Sequence, residues 1–169
     1  MIYFLKIYFQ NELEKQQTEV ALRKFAIKKH TSLDIQSATN NAGANNSFLG
    51  LEGTKDIKFT RIRTSFERVL PKLIISLPKD NLLFYKIRLS IFSTLVFVAI
   101  SFGLILNLVF VILGKTTIYN LITIGVFYIF YILLFFIELQ LTKSRIKNAV
   151  KITSTITEEK HDGQKNAYR

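Results

Sequence analysis

Two long apolar runs constrain this chain more than anything else in it. Leu89 to Leu113 carries no formal charge and is interrupted only by Ser, Thr, Gly and Asn107; Ile118 to Leu141 carries one charge, Glu138. At about 1.5 Å of helical rise per residue, each run exceeds the ~30 Å hydrocarbon core of a bilayer. A helix satisfies its own backbone hydrogen bonds there, which no isolated extended strand can do. The connection Gly114-Lys-Thr-Thr117 is so short that the two helices must be antiparallel neighbours. The sequence therefore predicts a transmembrane helical hairpin, with spans over 89–113 and 118–141 and a turn over 114–117.

Charge sets the expected orientation. The 169-residue chain has a formal net charge of +11, and its bases flank the apolar block instead of entering it. Lys72, Lys79, Lys86 and Arg88 precede the first span, Lys143, Arg145 and Lys147 follow the second, and the turn holds Lys115 alone. By the positive-inside rule both termini are expected in the cytoplasm, and those seven flanking bases are expected to contact anionic lipid headgroups. The Lys-, Ile-, Asn- and Phe-rich composition without Trp suits a bacterium with an AT-rich genome, hence a bacterial inner-membrane address. A basic chain also raises nucleic acid as a partner. No groove-reading or base-stacking motif accompanies the charge, so nucleic acid is not expected.

Chemistry is excluded on several counts. There is no cysteine, which removes disulfides, thiolate metal sites and a cysteine nucleophile, and the two histidines, His30 and His161, are far apart in polar stretches. No phosphate-binding glycine loop, nucleophile elbow or HExxH pattern is present, and no pair of acids is placed for acid–base work. The expectation is a protein that is not an enzyme and carries no metal and no cofactor.

Two polar residues within the spans invite a functional reading. Asn107 could line a pore, but a hydrogen bond to the partner helix of the same hairpin is the simpler reading. Glu138 could hold a proton or a cation; being about one turn from the cytoplasmic end, it is more simply expected to snorkel to the interface. Ser93, Ser101, Gly103 and Gly125 would permit close helix approach and leave homo-oligomerisation or a membrane-protein partner open.

The residues ahead of the hairpin divide into three segments. Residues 1–30 begin with the apolar, aromatic stretch Met1–Phe9, readable as a strand or an interfacial segment, and continue as a weakly amphipathic surface helix from Asn11 to Lys29. Residues 31–47 are small and polar, the composition of a flexible linker. Residues 48–88 hold three β-prone runs, around 57–63, 70–77 and 82–89, with turn chemistry at Gly50, Gly53 and 78–81. They predict a small antiparallel β-meander, basic in balance: nine Lys or Arg against three acids from 55 to 88, a net of +6. After the second span, 142–169 reads as a basic helix with a polar tail. The expected fold class is α+β: a membrane helical hairpin with a small cytoplasmic β-meander before it and a short basic helix after it.

The order Phe48-Leu-Gly-Leu-Glu-Gly53, then Phe59-Thr-Arg-Ile-Arg63, then Val69-Leu-Pro71 resembles an uncharacterised family of bacterial two-span membrane proteins. That family shows an F-x-G, F-K-I-x-R-I and F-L-P segment before a helical hairpin and a basic tail helix. Its Tyr-Arg-Asn-Ser block is replaced here by Thr64-Ser-Phe-Glu-Arg68. The resemblance implies the layout and no activity. It marks Phe48, Gly50, Phe59, Arg61, Arg68 and Pro71 as candidate ligand or partner residues, with the turns and core of the meander as their simpler role. Three functional readings follow in order: a membrane-anchored cytoplasmic interaction or sensing module; an oligomeric membrane-perturbing or pore-forming effector gated by that module; an accessory subunit of a larger membrane complex.

Overall fold

The structure is a computed structural model that describes residues 4–35 and 46–166, the last eleven of these (156–166) by backbone alone. Its first layer is a six-stranded mixed sheet in the order β1-β6-β5-β4-β3-β2. The strands are β1 (Leu5–Tyr8), β2 (Ala26–Lys29), β3 (Phe48–Glu52), β4 (Asp56–Arg61), β5 (Leu73–Pro78) and β6 (Phe84–Leu89). β3 to β6 form the antiparallel meander, and two strands from the N-terminal region extend it. β1 pairs antiparallel with β6, and β2 pairs parallel with β3. The opening apolar stretch is thus a sheet strand over the residues described, Met1 to Tyr3 lying outside them.

α1 (Glu12–Lys24) joins β1 to β2. Its Asn11 cap accepts from the Glu14 amide at 2.8 Å, its acids sit in the first turn and its bases in the last, as the helix dipole favours. The helix ends earlier than the Asn11–Lys29 periodicity predicts. Phe25 leaves helical geometry, and 26–29 becomes a strand because β3 offers a ladder of backbone partners. Part of the expected flexible linker, 31–47, is packed instead: Leu33 and Asp34 are buried. The remainder of that segment, 36–45, lies outside the described residues.

α2 (Ile91–Ile112) and α3 (Ile118–Asn166) follow. Ser90 caps α2, and Gly114, at φ +68°, closes its C-terminus in the left-handed conformation that glycine adopts without strain. Both helices are long and apolar enough to cross a membrane, and no residue of α2 is buried. α3 continues without a break past the apolar stretch. Its lower half, through Ile146 and Ala149, joins Ala21 and Leu22 of α1 over one face of the sheet. Phe48, Ile57, Phe59, Ile75, Leu77 and Ile87 supply that face, which is the main core. The other face carries a smaller cluster, Leu33, Leu49 and Ile74, closed by the segment around Leu33.

Asn107 bonds to its own helix, its amide donating to the Gly103 carbonyl at 3.0 Å, and not to the partner helix as expected. The i−4 carbonyl is the nearest acceptor for a short side chain on a helix. Nor do Gly103 and Gly125 mark a close helix approach, since a Cβ built on either would meet nothing within 4 Å. The contact between α2 and α3 includes Phe97, 5.9 Å from the rings of both Tyr128 and Tyr131, and the Tyr131 hydroxyl, which donates to the Ser93 carbonyl.

Candidate functional site

Charge gathers where the sheet meets the helical hairpin. Arg61, at the end of β4, points into the main core and is 2 % exposed. Its Nε and Nη2 donate to the two oxygens of Glu138 on α3, at 3.3 and 2.6 Å, and its Nη1 donates to Glu67 at 2.7 Å. Glu67 belongs to a single 3-10 turn, Phe66–Val69, and its other oxygen accepts the Thr64 amide. Burial alone would lower the Arg61 pKa; the hydrogen bonds and charge of Glu138, then of Glu67, outweigh it and raise it. Glu138 therefore does not snorkel outward. It is 1 % exposed, because a guanidinium fork 77 residues earlier in the chain sits opposite it.

A second pair occupies the other face. Arg88 of β6 donates to both oxygens of Asp34, at 2.9 and 2.7 Å, and Asp34 also accepts the Ile91 amide at the start of α2 at 2.9 Å. Burial would raise the Asp34 pKa, but the Arg88 hydrogen bonds and the Ile91 amide hold it below the usual carboxylate range. Arg88 was expected at the headgroups; at 2 % exposure it is turned inward, because the alternation of β6 puts it opposite Ile87.

Beside this second pair lies a pocket of about 350 Å³. Arg63, Arg68 and Lys72 line it from the sheet side, and Phe92, Ser93 and Tyr131 from the two helices. The junction is pinned by short polar contacts. The Lys72 amide donates to Ser93 Oγ at 2.8 Å, the Ser90 amide to the Lys72 carbonyl at 2.8 Å, and the Tyr131 hydroxyl to the Ser93 carbonyl at 2.7 Å. Lys72 Nζ donates to the Leu33 carbonyl. Burial, helped by the neighbouring Arg63 charge and opposed by Asp34, lowers its pKa to about 8. Arg63 donates through Nη1 to the Leu70 carbonyl at 2.5 Å, while its Nε is buried without a partner. Burial also lowers the Arg63 pKa. Among the described residues no cluster of three His, Cys, Asp or Glu gathers as a metal centre.

The six residues marked by the family resemblance separate. Arg68 and Pro71 line the pocket. Arg61 lies behind it in the Glu138 pair, and Phe48 and Phe59 are core. Gly50 faces Phe59 across the ladder, where a Cβ would come within 3.3 Å of both the Phe59 ring and Ala26. Of the flanking bases, Lys143, Arg145 and Lys147 are exposed on α3 and Lys72 is in the pocket. Lys79 sits past the far end of β5, six strand residues or about 20 Å from the start of α2. Lys86 faces the Phe84 ring, its Nζ 5.3 Å from the centroid. Asp34, Arg63, Ser93 and Tyr131 were not singled out as ligands by the sequence. Arg63 alone carried a signal, as the second base of Arg61-Ile-Arg63.

No family model matches the chain, and neither a curated protein nor a solved structure matches it.

Proposed function

We propose that this chain is a non-enzymatic bacterial inner-membrane protein in which the α2–α3 hairpin crosses the bilayer and holds the sheet, as an interaction or sensing module, against the cytoplasmic leaflet. One observation carries the reading: α3 runs unbroken from an apolar, exposed hairpin into the main core of the sheet, where Glu138 is bonded to Arg61. Most large apolar side chains from Ile91 to Ile137 are exposed, Phe92, Phe102, Ile105 and Phe127 among them. Each would forgo roughly 1.5–3 kcal/mol if left in water, so the hairpin needs an apolar solvent. A module fixed this way cannot swing on a tether; it presents one constant surface to the membrane and to a partner. The pore alternative gains no support within one hairpin, since Ser101, Asn107 and Thr123 all bond back to their own helix carbonyls.

Topology tests the reading directly, because the chain has no native cysteine. Single cysteines placed as Lys115→Cys and Lys79→Cys should react with an impermeant maleimide from opposite sides of the inner membrane, Lys115 from outside. Labelling of both from one side, or extraction of the protein by carbonate at high pH, would remove the spanning hairpin and the reading with it.

A further inference from the structure

The pocket at the junction has a basic wall, an apolar floor and a place in depth. Arg63, Arg68 and Lys72 supply three cations, and the acid that also borders it, Asp34, is already held by both nitrogens of the Arg88 fork. The Arg63 Nε, buried with no partner, is a donor whose burial without a hydrogen bond costs free energy. Guanidinium groups favour tetrahedral oxyanions through paired donors, so the wall suits a phosphate.

The floor says which phosphate. Phe92 and Val96 line the pocket one helical turn apart and then face outward along α2, at 61 % and 48 % exposure. Arg68 lies on the 3-10 turn whose Phe66 and Val69 are 95 % and 70 % exposed. Bare apolar tips beside a base are the composition of a segment that dips into the headgroup boundary. A free phosphate would have no use for either apolar surface.

We infer that the junction pocket binds the phosphodiester of an anionic phospholipid of the cytoplasmic leaflet, with Arg63, Arg68 and Lys72 on the phosphate and the acyl chains laid along Phe92 and Val96. The inference rests on the spanning hairpin and adds to it a stoichiometric lipid ligand. The bound lipid would also neutralise the basic wall of the pocket, tying the module to the charge of the leaflet.

The test uses the full chain in mild detergent, delipidated and then titrated with dioleoyl phosphatidylglycerol, dioleoyl phosphatidylcholine or inorganic phosphate, with retained lipid counted by native mass spectrometry. Both lipids present the phosphodiester, but the choline of phosphatidylcholine adds a cation beside three bases, so one phosphatidylglycerol should be retained about tenfold more tightly. Arg63→Gln with Arg68→Gln should abolish that preference. Arg68→Gln alone, at an exposed position that leaves folding intact, should weaken it several-fold. Lys24→Gln with Lys55→Gln, two exposed bases that do not line the pocket, should leave it unchanged. Equal retention of the two lipids, or retention insensitive to both arginine variants, would overturn the pocket. Displacement of the lipid by millimolar phosphate would reassign it to a free anion. The maleimide topology experiment is independent of all these arms, so a failed pocket and a failed hairpin are told apart.

Discussion

The two faces of the sheet are closed by different means, and the difference separates what holds the molecule together from what is left available for binding. One face is covered by α1 and by the lower half of α3, and its core runs from Phe48 to Ile87 with Ile146 and Ala149 pressed onto it. Among the described residues the other is covered by the short segment around Leu33 and Asp34, Leu33 forming a cluster of three buried apolar residues with Leu49 and Ile74. Each face buries one arginine–carboxylate pair near the helical hairpin, Arg61–Glu138 on the first and Arg88–Asp34 on the second. The first pair fastens a helix whose lower half is already packed on the sheet. The second fastens a few residues of chain to the start of α2, and next to them the pocket stays open. Thick cover gives rigidity; thin cover leaves charged groups at a surface where a ligand can reach them.

The largest effect should come from the thin face. Asp34→Ala removes two bonds to Arg88 and one to the Ile91 amide, leaving a buried guanidinium without its carboxylate, and should cost about 4 kcal/mol by thermal or denaturant unfolding in detergent. Neighbouring isoleucines on β5 compare the faces more finely, since Ile74 and Ile75 are both fully buried and point to opposite sides. Ile75→Ala, in the core closed by two helices, should cost about 4 kcal/mol, and Ile74→Ala about 2 kcal/mol because the thin cover can settle into the cavity. Equal losses would mean that the two faces are equally rigid and would break the comparison.

Glu138→Gln should cost less than Asp34→Ala, about 2 kcal/mol, because Arg61 keeps Glu67. Replacing the pair together, Arg61→Met with Glu138→Leu, should recover most of that loss, since an apolar pair of similar volume needs no desolvation of charge. A double variant weaker than either single one would show that the pair itself, and not the packing of α3, holds the thick face.

The smallest effect is one of pH. Lys72 is faced by Asp34 from the thin cover, by Arg63 and Arg68 across the pocket, and by the Arg88 beyond Asp34. Its pKa falls from 10.5 unfolded to about 8 folded, so below pH 8 the folded state holds this charge at a cost. Between pH 8 and 10.5 the unfolded chain binds the proton that the folded chain has released, so stability should rise with pH across that window. Unfolding midpoints at pH 7.5 and 9.5 should show a rise that Lys72→Met removes. Asp34 also makes stability rise with pH, but in the acid range and through a charge that stabilises the fold. Its lowered pKa contributes stability above about pH 4, lost as the pH falls through its folded value.

The hairpin was legible because an uncharged apolar run of that length has one structural outcome, a helix that satisfies its own backbone, and Gly114 supplied the expected close of the first helix. Three strands of the meander, β4, β5 and β6, were legible from β-prone runs between turn residues, and the α+β layout with them; β3 was not, since Gly50, read as a turn, sits in its ladder opposite Phe59. These are local properties, set by the side chains of a dozen neighbours. What only the tertiary structure decided were matters of pairing. Residues 26–29 became a strand because β3 was there to receive them, although their periodicity continued a helix. Glu138 and Arg88 turned inward because Arg61 and Asp34, 77 and 54 positions away in sequence, met them with forked geometry. The pocket joins Arg63 and Lys72 to Phe92 and Tyr131, and no spacing rule spans such separations. Period and composition act over a few residues and are written along the chain. The partner of a buried charge depends on which surfaces the fold brings together, and that is fixed only when the whole core is packed.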